Sequence, residues 1–190
     1  MKRPGLFARP LLACQRGFTL IELLVVVAIV AILGALAIPG LQTIARNQAL
    51  SNAASDLMAA TLQARSVALT NNRRTLLQPL ADNDWRTGWR IYIDMNTNGA
   101  YDAGTDTLIA SREPLDGDIN IGALTGSGDN KSITVVGFDG SGFLLTIGTS
   151  LNGTVLLQST LTGRQKYIVV SRVGRARICD PKTAPGCQPT

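Results

Sequence analysis

Near the carboxyl end of a 190-residue chain, Arg175 and Arg177 stand two residues apart behind Gly174. On an extended strand that spacing puts both guanidinium groups on one face, about 7 Å apart. A guanidinium fork meets phosphate oxygens in two parallel hydrogen bonds, and successive phosphates of one nucleic-acid strand have a comparable separation. Arg164, Lys166, Arg172 and Lys182 surround the pair, so residues 160–190 hold six basic side chains against one acid, Asp180. Contacts of this kind neutralise phosphate charge without reading base sequence, and they weaken with salt. The competing role for the same charges is to guard a solvated edge strand against aggregation.

Elsewhere the chemistry is sparse. The chain has no histidine, which excludes Ser-His-Asp and Cys-His catalysis and histidine-bearing zinc sites. No lysine is placed as a base beside the plentiful Ser and Thr, so neither an enzyme nor a cofactor is expected. Asp94, Asn96, Asn98 and Asp102 fall at positions one, three, five and nine of a calcium-loop pattern, with Gly99 at six. Position twelve is Thr105 instead of a bidentate glutamate, and Asn-Gly is a common hairpin turn. A turn is therefore the expectation, with calcium the weaker alternative. Gly137-Phe138-Asp139-Gly140-Ser141-Gly142 and Gly126-Ser127-Gly128 also read as turns, because neither opens a helix. Cys179 and Cys187 enclose a short loop in a segment expected to be exported; a disulfide is the expected state, and two free thiols the alternative.

The elements that must carry these residues divide sharply in composition. From Leu23 to Ile38 no side chain is polar, and extension back to Phe18 gives 21 residues, about 30 Å of helix, enough to cross a bilayer. Ahead of it, Lys2, Arg3, Arg9 and Arg16 have no acidic counterpart, which holds the leader in the cytoplasm and sends the rest outward. Without residues 1–17 the net charge falls from +5 to +1, so most of the basicity is a topology signal. The remainder is unevenly spread, with nine acids and three basic residues from Ala81 to Asn130.

Past Gly34, Pro39 and Gly40, where a kink or melted turn is expected, Leu50, Ala53, Leu57, Ala60, Ala64 and Val67 form an apolar stripe at helical spacing. Asn52, Asp56, Gln63, Ser66 and Thr70 lie opposite, and Asn71-Asn72 marks the stop. One helix from Phe18 to about Thr70 follows. Expected strands are Thr75 to Leu80, Trp89 to Asp94, Thr107 to Arg112, Ser132 to Phe138, Gly153 to Thr160, and Gln165 to Cys179 as two strands or one bent strand. The fold class is α+β, one long helix packed on an antiparallel β-domain.

Arg16-Gly17-Phe18-Thr19-Leu20-Ile21-Glu22-Leu23-Leu24 resembles the leader junction of type IV pilins and type II secretion pseudopilins. The resemblance implies that prepilin peptidase cuts after Gly17, that Phe18 becomes the N-methylated first residue, and that Glu22 guides assembly by meeting a neighbour's Phe18 amino group. A carboxylate in an apolar helix needs such a cation. The segments implied are a leader, 1–17; the membrane and filament-core half of the helix, 18–47; and a globular region, 48–190, made of helix 48–72 and β-domain 73–190. The protein would span the inner membrane once, with a periplasmic carboxyl domain, and then join a cell-surface pilus with major and minor pilins.

The later layout, Trp85 to Arg90 before the Asp-Asn-Gly turn, the strand Tyr167 to Ser171, and Gly-Arg-x-Arg followed by Cys, resembles the GspH/FimT group of minor pilins, the FimT proteins most of all. In FimT proteins of competent bacteria that motif implies binding of double-stranded DNA during uptake. It maps here to Gly174, Arg175 and Arg177, and by extension to Arg172 and Lys182. The alternative is a GspH-like pseudopilin or priming minor pilin with a structural role in secretion or pilus assembly.

Overall fold

A computed structural model describes residues 18–81, 84–115, 117–122, 135–145, 153–184 and 187. Cys14, Gly17, the Gly126-Ser127-Gly128 string and the start of the strand expected at Ser132 lie outside the described residues. The chain divides into two compact units, Met1–Leu41 and Gln42–Thr190.

Helix α1 (Leu20–Asn71) starts where the Thr19 side-chain oxygen accepts a hydrogen bond from the Glu22 amide at 3.2 Å. Thr19 and Glu22 have the spacing of a capping box, a start signal that sets the boundary two residues beyond Phe18. Large apolar side chains from Phe18 to Ile44 are exposed, and α1 is long and apolar enough to cross a membrane. The helix continues through Pro39 and Gly40, which corrects the expected melted turn. Proline removes one backbone donor and crowds the preceding turn, yet the residues on both sides stay helical.

In the second unit α1 buries Leu50, Ala53, Ala54, Leu57, Ala60, Thr61, Ala64 and Ala68. Ala68, not Val67, closes the stripe. The Thr61 hydroxyl donates to the Leu57 carbonyl at 2.8 Å, so the buried polar group costs little. At the far end Asn72 takes φ 49° and the Arg73 amide donates to the Ala68 carbonyl at 3.2 Å, the bond of a Schellman stop.

The strands are β1 (Thr75–Ala81), β2 (Asp84–Ile93), β3 (Thr107–Arg112), β4 (Ile119–Gly122), β5 (Val136–Phe138), β6 (Gly153–Ser159), β7 (Gln165–Val170) and β8 (Ala176–Cys179). They form two antiparallel sheets, β3-β2-β1-β5 and β4-β6-β7-β8. Leu50 and Leu57 of α1, Trp85 and Phe138 of the first sheet, and Leu157 and Ile168 of the second belong to one buried cluster. Strand β2 begins five residues before the expected Trp89, because Gly88 does not break it. Gly88 has φ 90°, and a Cβ there would lie 2.1 Å from the Arg112 carbonyl oxygen of β3, so only glycine permits this pairing. Strand β4 was not expected; its signal is only Ile119 and Ile121, both buried. The run Gln165 to Cys179 resolves into two strands.

Candidate nucleic-acid interface

The carboxyl-terminal arginines sit on a hairpin. Val170 pairs with Ala176 and Val169 with Arg177 across β7 and β8. The loop Arg172-Val173-Gly174 closes with Gly174 N–H to Ser171 C=O at 2.8 Å and Ser171 N–H to Arg175 C=O at 2.9 Å. Strand β8 is at the edge of its sheet. Ala176 and Ile178 are half-buried and pack on the core, whereas Arg175 and Arg177 alternate with them and are exposed, as is Arg172 in the loop. Arg177 lies on β8 and Arg175 directly precedes it, after the turn.

Gly174 has a different role from its neighbours. It is buried, with φ 75°, and a Cβ there would lie 2.2 Å from the Gly142 carbonyl oxygen and 2.6 Å from Arg65 Nε. Arg65, on α1, donates from Nε to the Gly142 carbonyl at 3.0 Å and from an Nη to the Val173 carbonyl at 3.0 Å. One guanidinium thereby ties the helix to two turns, and the glycine leaves it room. Sequence reasoning missed Arg65. Nothing in its local sequence points to partners 77 and 108 residues away.

The one acid of the tail is already engaged. Asp180 accepts from Arg164 Nη at 2.9 Å and from the Lys182 amide at 2.9 Å. Burial opposes its ionisation, but these hydrogen bonds and the charges of Arg164 and Lys166 outweigh burial and hold the carboxyl below its ordinary value. Among the described residues no carboxylate pairs with Arg172, Arg175, Arg177 or Lys182. The Lys182 side chain is exposed. Just beyond the arginine row, Cys179 and Cys187 form a disulfide with Cα atoms 5.8 Å apart, and Cys187 is buried.

At the acidic pole, residues 94–106 connect the antiparallel strands β2 and β3 as a turn. Asp94 accepts from the Gly99 amide at 3.0 Å and lies 3.1 Å from Arg74 Nε. Asn96 and Asn98 side-chain amides donate to Asp102 at 2.8 and 2.6 Å, which holds its carboxyl below the ordinary value. Among the described residues no three Cys, Asp or Glu side chains converge in metal-binding geometry. In the glycine-rich turn after β5, the Asp139 carboxylate accepts from the amides of Ser141 and Phe143, each at 2.9 Å. Phe18 and Glu22 are exposed at the start of α1.

The profile of the type II transport protein GspH family matches residues 53–174, well over half of the chain. The chain belongs to the GspH family. The prokaryotic N-terminal methylation motif matches residues 12–38 of this GspH-family protein. It is 35% identical over 92 residues to the pilin-like protein PilA1 of Thermus thermophilus, covering 48% of this chain and 56% of that one. The chain thus spans about half the length of that curated relative. Two crystal structures of the Pseudomonas aeruginosa type IV minor pilin FimU share its fold at 20% identity. Their TM-scores are 0.54 and 0.52, each over 72% of this chain and over 92% and 97% of theirs. The α+β pilin-like fold and the GspH/FimT-group membership implied by the leader junction and the later layout are borne out.

Proposed function

We propose that this GspH-family chain is a minor type IV pilin whose carboxyl-terminal hairpin binds double-stranded DNA without sequence preference for uptake in natural transformation. The observation that carries the reading is the exposed row Arg172, Arg175 and Arg177, beside an acid already engaged by Arg164 and the Lys182 amide. Arg175 and Arg177 contact phosphates, Arg172 and Lys182 add charge, and Gly174 sets the turn. Prepilin peptidase cuts between Gly17 and Phe18, Phe18 is N-methylated, and Glu22 meets the amino group of a neighbouring pilin. Before assembly, α1 anchors the protein in the inner membrane with its carboxyl domain in the periplasm. Assembly with other pilins carries that domain to the cell surface.

The test is duplex binding by the full chain in a neutral detergent, measured by fluorescence anisotropy across a salt series. Replacing both arginines (Arg175→Gln with Arg177→Gln) should weaken binding and reduce the log-log salt slope by about 1.8, or about 0.9 per lost phosphate contact. An unchanged slope and affinity would refute the assignment. The family name favours a second reading, a structural minor pseudopilin of type II secretion. Deletion would then abolish secretion while transformation stays normal.

A further inference from the structure

Resting on the DNA-binding reading, we propose that the hairpin tip and the turn beside it form a platform for unpaired bases, so that the site prefers single-stranded DNA to closed duplex. The Leu144 amide donates to the Arg172 carbonyl at 2.9 Å, and the Gly142 carbonyl abuts Gly174. Residues 142–144 therefore run alongside 172–174, which sets Phe143 beside Val173. Phe143 is 49% exposed and Val173 51% exposed, and Leu69 of α1, 49% exposed, reaches Gly142 on the same turn. Apolar surface is thus left in solvent along this turn, which suits a ligand with an apolar face.

The charges beside them select its class. Arg172 directly precedes Val173, Arg175 follows two residues after it, and both are exposed, so the partner is anionic next to its apolar face. The nearby Asp139 charge is drawn onto two backbone amides, and Arg65 is consumed by two carbonyls. The hydrogen-bonding atoms of both side chains are thus held by the backbone beside the arginines. A closed duplex offers phosphates but hides its base faces, whereas a single strand offers both, with the aromatic ring as stacking surface and the arginines on the backbone. Frayed ends and gaps of a duplex present the same chemistry.

The probes are a fluorescent oligo-dT and a duplex of equal length closed by hairpin loops at both ends, each titrated with the full chain in neutral detergent. The wild type should bind oligo-dT more tightly than the closed duplex. Phe143→Ala should lose about tenfold on oligo-dT and little on the duplex, while Phe143→Trp keeps the preference. Equal wild-type affinity for both probes, or equal loss on both in Phe143→Ala, overturns the platform while leaving charge-based DNA binding intact. Absence of binding to either probe overturns both readings together. Circular dichroism of each variant separates a folding defect from a lost contact.

Discussion

Replacing Gly174 with alanine separates a glycine kept for DNA approach from one kept for the fold. The perturbation has two parts. An L-residue at φ 75° costs about 1–2 kcal/mol. The new methyl would also sit 2.2 Å from the Gly142 carbonyl oxygen and 2.6 Å from Arg65 Nε, so the Arg65 bonds to Gly142 and Val173 must lengthen or break, at about 1 kcal/mol each. The total is about 3–4 kcal/mol. At about 2–4 °C per kcal/mol for a domain of this size, Tm should fall by about 6–16 °C. Thermal unfolding followed by tryptophan fluorescence in detergent reports it, since Trp85 and Trp89 are in the core. Arg65→Ala alone should cost about 2 kcal/mol, and the double variant less than the sum, because both changes remove the same bonds. A Tm for Gly174→Ala within about 2 °C of wild type, or strict additivity with Arg65→Ala, would refute the clamp.

Two further outcomes follow from the tail. Reduction of Cys179–Cys187, which closes a loop of sequence separation 8, should lower stability by about 2–3 kcal/mol; mass spectrometry after alkylation should show two more added groups with reductant than without it, and equal masses would rule the bridge out. Because the folded Asp180 carboxyl titrates below its ordinary value, its contribution is complete above the unfolded pKa, near pH 4, and is lost as pH falls through the lowered folded pKa. Asp180→Asn should therefore flatten the fall of Tm as pH drops below about 4, and superimposable Tm-against-pH curves would show that the Arg164 pair does not support the hairpin.

What was legible in the sequence was whatever short-range spacing encodes. The alanine-rich stripe, the Asn72 stop and β3 were placed within a residue, because helical period, a left-handed asparagine and β-branched alternation act locally. Gly88 misled because a glycine inside a strand reads as a breaker until the facing Arg112 carbonyl is known. Strand β4 escaped because two isoleucines in four residues are too few to establish a period. Within the candidate site, the exposed arginine alternation was visible, whereas the packing that orients it was not.

That packing changes what a Gly-Arg-x-Arg string means. Four residues specify charge spacing along the chain, but not the contacts that fix the turn before it. Here the fixing is done from both ends. Arg65 holds the carbonyl of Val173 at the turn, and the disulfide ties the strand just past Arg177. With the chain held at both ends of 174–179, less conformational entropy would be lost if Arg175 and Arg177 engaged a phosphate chain, as proposed. A relative with the same string but no helix donor facing the turn would keep the charge and lose the preorganisation, and should bind polyanions more weakly at equal net charge. Arg65→Ala reproduces that case within this chain. It should raise Kd for both the single-stranded and the closed-duplex probe by a common factor, because it loosens the scaffold beneath every contact, whereas Phe143→Ala changes one probe alone. A selective effect of Arg65→Ala on one probe would mean that its guanidinium meets the ligand directly and that the two carbonyls are not its principal partners.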